Sequence, residues 1–107
     1  MSATYRCLSA AEALRLIAGE PAAAIFDVRD AAAYQGGHLE GAAHLSQDRL
    51  PAWMRRLAKE TPIVIYCYKG NGSKVFAQMF ADFRYGRVFS VDGGYEALQA
   101  AQAGDAA

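Results

Sequence analysis

The sequence predicts an α/β fold, a central and mostly parallel sheet of about five strands with helices on both faces. Three observations carry that expectation. Apolar runs rich in β-branched and aromatic residues, Ala24–Val28, Ile63–Tyr66 and Val88–Val91, read as strands. Between them, helical spacing appears, as in Leu50, Trp53, Met54, Leu57 and Ala58 at i, i+3, i+4, i+7 and i+8. Strands and helices alternate along most of the chain, the order that yields parallel strands covered on both faces.

A chain of 107 residues is one domain, 1–107. It contains no internal repeat and no linker long enough to divide it. A hydrophobic content of 53% with 21% charged residues describes a folded globule. Lys+Arg and Asp+Glu both number 11, so the net charge is +0. That balance argues against a general nucleic-acid or membrane surface, which needs a basic excess. No apolar run approaches the roughly 20 residues of a membrane span. The start, Met1 to Arg6, lacks the basic-then-apolar form of a secretory signal, so a cytoplasmic protein is expected. Cys7 and Cys67 are far apart with no C-x-x-C, and no disulfide is expected in that compartment.

In order, Tyr5 to Leu8 reads as a short edge strand, with Cys7 a small buried hydrophobe. Ser9-Ala10-Ala11-Glu12 is a capping box opening a helix with Ala13, Leu14, Ile17 and Ala18 inward and Gly19 past its end. After the strand Ala24–Val28, Asp30 is the expected N-cap of a short helix over Ala31 to Tyr34, stopped by Gly36-Gly37. His38 to Leu45 is a turn leading into a short strand. Pro51 suits the first turn of the Leu50–Ala58 helix, whose Trp53 and Met54 are expected in the core. Asp92-Gly93-Gly94 is a loop before a last helix over Tyr95 to Ala101, and 102–107 is expected to be a frayed tail.

The most informative stretch is 63–80. The strand Ile63–Tyr66 ends at Cys67, a Gly- and Asn-rich loop follows, and Val75, Phe76, Met79, Phe80 and Phe83 are spaced as the inner face of a helix. A cysteine beside a helix N-terminus meets unpaired N–H groups and a partial positive charge that lowers a thiol's pKa. Local chemistry leaves two readings open: a reactive thiolate in an anion cradle, or a structural cysteine before an ordinary turn. Asp27 and Arg29 lie at the C-terminal end of a parallel strand, where α/β proteins gather their sites. A structural ion pair holding the neighbouring loops is the favoured reading for both.

Taken together, these pieces resemble the rhodanese (thiosulfate sulfurtransferase) family in its small single-domain bacterial form. Asp27-Val28-Arg29 is similar to the family's Asp-x-Arg, and Gly37-His38-Leu39-Glu40-Gly41-Ala42 to its Gly-His-Ile-x-Gly-Ala turn. Val64 to Cys67 followed by Tyr68-Lys69-Gly70-Asn71-Gly72 resembles its strand and active loop, and Asp92-Gly93-Gly94 its late Gly-Gly loop. Each motif is weak alone; four in order are specific. The resemblance implies the rhodanese-like three-layer fold. It further implies a Cys67 thiolate that takes the outer sulfur of thiosulfate, holds it as a persulfide and passes it to cyanide or a thiol. Tyr68, Lys69, Gly70, Asn71, Gly72 and Ser73 would bind the substrate, with Asp27 and Arg29 in support. Neither a metal nor an organic cofactor is implied, and His38 becomes a hydrogen-bonding turn residue. A monomer is expected.

The chain departs from the family pattern at three places. Gly72 stands where Ser, Thr or Arg is frequent, with Ser73 next, so a hydroxyl donor to the sulfur is missing or displaced. Tyr68 replaces the Arg of some members, which leaves Lys69 as the loop's only cation. Leu98 replaces a frequent Trp, a packing change. Two rival readings remain. A Cys-x5-Arg phosphatase of the same fold would need Arg where Ser73 stands, because it clamps phosphate bidentately. A persulfide relay serving protein partners would keep Cys67 and is separated from a thiosulfate enzyme only by its sulfur donor.

Overall fold

The alternating signals become five strands and five helices among residues 4–106, which a computed structural model describes, with side chains through Gly104. They are β1 (Arg6–Leu8), α1 (Ala10–Gly19), β2 (Ala24–Asp27), α2 (Ala31–Gly36), β3 (Ala42–His44), α3 (Leu50–Arg56), β4 (Ile63–Tyr66), α4 (Gly72–Asp82), β5 (Val88–Val91) and α5 (Gly94–Ala106), with a 3₁₀ turn at Gln47–Arg49 ahead of α3. Ala107 of the expected tail and Met1 to Ala3 lie outside the described residues.

All four strand pairings are parallel, in the order β1-β5-β4-β2-β3. Strand periodicity divides the core in two. Ile25, Val64, Tyr66, Phe89 and Val91 face one side, where Ala10 and Ala13 of α1 and Leu98 of α5 complete a buried cluster. Phe26, Ile63, Ile65 and Val88 face the other, against Leu50 of α3 and Ala77 and Phe80 of α4. Trp53 and Met54 are half-buried against this second cluster. The capping box is present in both directions: Glu12 N–H donates to Ser9 Oγ at 3.1 Å and Ser9 N–H to Glu12 Oε1 at 2.9 Å.

Five details differ from the sequence expectation. Cys7 is exposed, because the alternation that turns Leu8 into the core turns Cys7 the other way on an edge strand. Ala18 is exposed, and α1 packs through Leu14, Leu16 and Ile17. The inner face of α4 is Ser73, Ala77, Phe80 and Ala81, while Val75 and Phe83 are 57% and 59% exposed. Small residues at that contact let the helix lie close to the sheet, which the spacing of large apolar residues alone did not show. Finally, α3 stops at Arg56 because Leu57 is extended, so Ala58 is outside it. α5 runs on to Ala106 over most of the stretch expected to fray, since its Ala-rich sequence carries no Pro to end it.

Candidate active site

Two neighbouring strands, β2 and β4, end side by side, with Asp27 paired to Tyr66. The turn after each supplies one half of the site.

After β4, Cys67 enters a tight loop and is only 5% exposed. Gly70 N–H donates to Cys67 Sγ at 3.0 Å. Ser73, fully buried in the first turn of α4, places its Oγ 3.4 Å from the same sulfur. Asn71 precedes α4 without a side-chain cap; the Lys74 amide bonds Asn71 O at 3.3 Å, and the Ser73 amide faces the Cys67 sulfur. Burial pushes the Cys67 thiol up. Hydrogen bonds from the Ser73 hydroxyl and from the Ser73, Gly70 and Lys69 amides outweigh burial and hold it below its ordinary value.

A pocket of about 320 Å³ opens over the sulfur, lined by Val28, Cys67, Tyr68, Lys69, Asn71 and Gly72. A larger groove beside Lys69, lined also by Gly93, Glu96, Ala97 and Ala100, holds no nucleophile. A Cβ on Gly72 would stand 3.9 Å from Cys67 Sγ, so that position borders the sulfur without donating to it. The displaced hydroxyl is the one on Ser73. Tyr68 does not point its hydroxyl at the pocket: it donates to the Asp30 carboxylate. That bond and the Ala33 amide hold Asp30 below the usual carboxylate range.

After β2 the arrangement is self-contained. Arg29 Nη2 donates to Asp27 Oδ2 at 2.7 Å and to Gly37 O at 2.6 Å, and Arg29 Nε donates to both Asp27 oxygens at 3.1 Å. The guanidinium lies 4.0 Å over the Tyr95 ring. Hydrogen bonding to Asp27 raises the Arg29 pKa against the cost of burial. This pair is a brace: through Nε and Nη2 it ties β2 to Gly37, and the guanidinium packs on Tyr95 of α5. His38 Nδ1 meets Tyr34 O at 2.8 Å and His44 Nε2 meets Arg29 O at 2.6 Å, so both histidines serve the turns. Among the described residues, no group of three or more His, Cys, Asp and Glu side chains is placed to hold a metal ion, and no helix is long and apolar enough to cross a membrane.

The Asp92-Gly93-Gly94 loop supports the cysteine loop from behind. Tyr95 N–H donates to Cys67 O at 2.9 Å. Gly94 sits at φ +63, and a Cβ there would fall 2.3 Å from Tyr68 O, so only glycine permits this approach. One residue escaped the sequence reading. Ser90 on β5 is fully buried, and its Oγ lies 2.7 Å from Ser73 Oγ. Its only sequence signal is a hydroxyl inside the apolar run Val88–Val91.

Comparison with known proteins agrees with this geometry. The family model described as Rhodanese-like domain matches residues 9–101. A curated relative, the thiosulfate sulfurtransferase GlpE of Tolumonas auensis, is 38% identical over 76 residues, 71% of this chain and 72% of the relative. Among solved structures, the rhodanese-like domain of an Anabaena protein is 28% identical with a TM-score of 0.73, covering 94% of this chain and 75% of that one. A rhodanese-related protein from Thermoplasma volcanium shares the fold at 21% identity and a TM-score of 0.74, covering 90% of this chain and 92% of that one.

Proposed function

The chain belongs to the rhodanese-like domain family, and on that premise we propose that it is a sulfurtransferase working through a Cys67 persulfide, with thiosulfate as donor. The observation that carries this reading is the Cys67 sulfur itself. It lies under the Gly70 amide and beside the Ser73 hydroxyl, at an uncapped helix start, below an open pocket.

In the first step the Cys67 thiolate attacks the outer sulfur of thiosulfate. A new S–S bond forms, the S–S bond within thiosulfate breaks, and its electron pair leaves with sulfite. In the second step cyanide or a thiolate attacks the outer persulfide sulfur, and the Cys67 thiolate departs with the electron pair. Both steps keep negative charge on sulfur, which the loop amides and helix N-terminus stabilise. No general base is needed when the thiol is already ionised. Lys69 lines the same pocket and would meet the sulfonate end of the donor. Phosphate transfer is disfavoured, because Ser73 occupies the position of the arginine that would clamp a phosphate.

Thiosulfate turnover with cyanide, read as thiocyanate and accompanied by ping-pong kinetics, tests the proposal. Loading from a protein persulfide but not from thiosulfate would instead make the domain a relay. Full turnover by Cys67→Ser would overturn both.

A further inference from the structure

We infer that Ser90 is a positioning residue, whose hydroxyl donates to Ser73 Oγ and thereby holds the Ser73 proton on the Cys67 sulfur. The inference rests on the reading of Cys67 as the reacting thiolate.

The protons shared along three atoms fix the direction of these bonds. Cys67 Sγ, Ser73 Oγ and Ser90 Oγ form a chain with steps of 3.4 and 2.7 Å. Ser90 projects from β5 on the same side as Val88, toward α4, and pairs in register with Ile65, two residues before Cys67. Both serines are fully buried. Among the described residues, Ser73 Oγ is the only hydrogen-bond partner of the Ser90 hydroxyl. Ser90 is therefore the closed end of the chain.

Two directions are open to such a chain. If Ser73 donated to Ser90, the Ser90 proton would be left without an acceptor in a site sealed from water, which is costly. If Ser90 donates to Ser73, the Ser73 proton must go to the sulfur. That sulfur, as a thiolate, has no proton of its own to place, and every donor in the chain is satisfied. Each bond also polarises the next, so the Ser73 donation is strengthened by the one behind it. Ser90 thus reaches the sulfur without touching it. It denies the Ser73 hydroxyl the freedom to turn elsewhere, and it favours the ionised form of Cys67.

The groups facing the Cys67 pocket that titrate are Tyr68 and Lys69 of the loop, with Asp30, the N-cap of α2, bonded to Tyr68. Val28, following β2, is apolar, and α4 and β5 present the hydroxyls of Ser73 and Ser90. All but Ser90 are unchanged in the variants below, so differences between profiles report on the chain.

The test is the pH profile of Cys67 alkylation by iodoacetamide, followed on the Cys67 peptide by mass so that exposed Cys7 does not contribute. It is paired with kcat and KM for thiosulfate. Ser90→Ala is expected to raise the apparent thiol pKa and to lower alkylation rate and kcat at neutral pH roughly three- to tenfold, with KM little changed. Ser90→Cys keeps the volume with a poorer donor and should fall between, which keeps the inference testable if the Ala variant is too unstable to assay. A folded Ser90→Ala protein with the parent's profile and kcat, even if its melting temperature drops, would overturn the inference and leave Ser90 as packing. Failure of the parent to take sulfur from thiosulfate would instead strike the proposed donor, since the alkylation profile does not depend on it.

Discussion

The turns after β2 and β4 begin alike and end differently. Both follow a parallel strand, both lead to a helix, and they lie side by side. Behind β2, the carboxylates and most of the guanidinium pair internally: Arg29 through Nε and Nη2 on Asp27 and Gly37, and Asp30 as the cap of α2, accepting from the Ala33 amide at 2.9 Å. Behind β4, the helix start is uncapped and its donors converge on one sulfur. A satisfied turn braces the fold, whereas a turn with donors left over can bind charge. Substitutions in the first should therefore cost stability, and in the second reactivity.

The largest expected effect is in the brace. Asp27→Ala leaves the Arg29 guanidinium buried without its carboxylate and should destabilise by about 3–5 kcal/mol in urea titration. A loss below 1 kcal/mol would break the distinction. Next is the contact joining the two loops to α5. Gly94→Ala places a methyl group into the Tyr68 carbonyl, so we expect a loss of roughly 1–3 kcal/mol by thermal melting and slower Cys67 alkylation. An unchanged alkylation rate would show that the loop holds its shape without this support.

Smaller effects belong to the sulfur turn. Because the Cys67 pKa is lowered in the fold, its thiolate persists to lower pH than that of an ordinary cysteine. Alkylation should stay fast as pH falls and be lost only on passing through the depressed pKa. Ser73→Ala should move that midpoint upward; an unmoved midpoint would remove Ser73 from the cradle. The smallest change is Gly72→Ser, whose Cβ fits at ordinary contact distance. Stability should hold within about 0.5 kcal/mol while a second hydroxyl comes beside the sulfur, raising the sulfur-loading rate by no more than a few-fold. A large drop in loading would mean that position 72 must stay bare.

Local signals in the sequence sufficed for most of the fold. Ser9 with Glu12 and Asp30 marked helix starts, β-branched runs marked strands, and Gly93-Gly94 marked the supporting loop. What escaped depended on tertiary packing. Val75 and Phe83 look inward by spacing, yet α4 meets the sheet through Ser73 and Ala77. Cys7 looks core-like by residue type, yet it sits on the outer side of an edge strand. At the site, Cys67 and its loop were legible because they are contiguous. Ser90 was not, because it reaches Ser73 only once β5 lies beside β4. Tyr68 lines the Cys67 pocket, and the bond that fixes its hydroxyl, to Asp30 ahead of α2, joins residues far apart in the chain and had no local signal.

The central claim is that the β4 turn holds a sulfur-accepting thiolate. Intact-mass measurement after incubation with thiosulfate addresses it most directly, with Cys67→Ser and Cys7→Ser alongside. The account predicts one added sulfur atom on the parent and on Cys7→Ser, removed by cyanide as thiocyanate, and none on Cys67→Ser. An adduct that survives Cys67→Ser, or that disappears in Cys7→Ser, would contradict it.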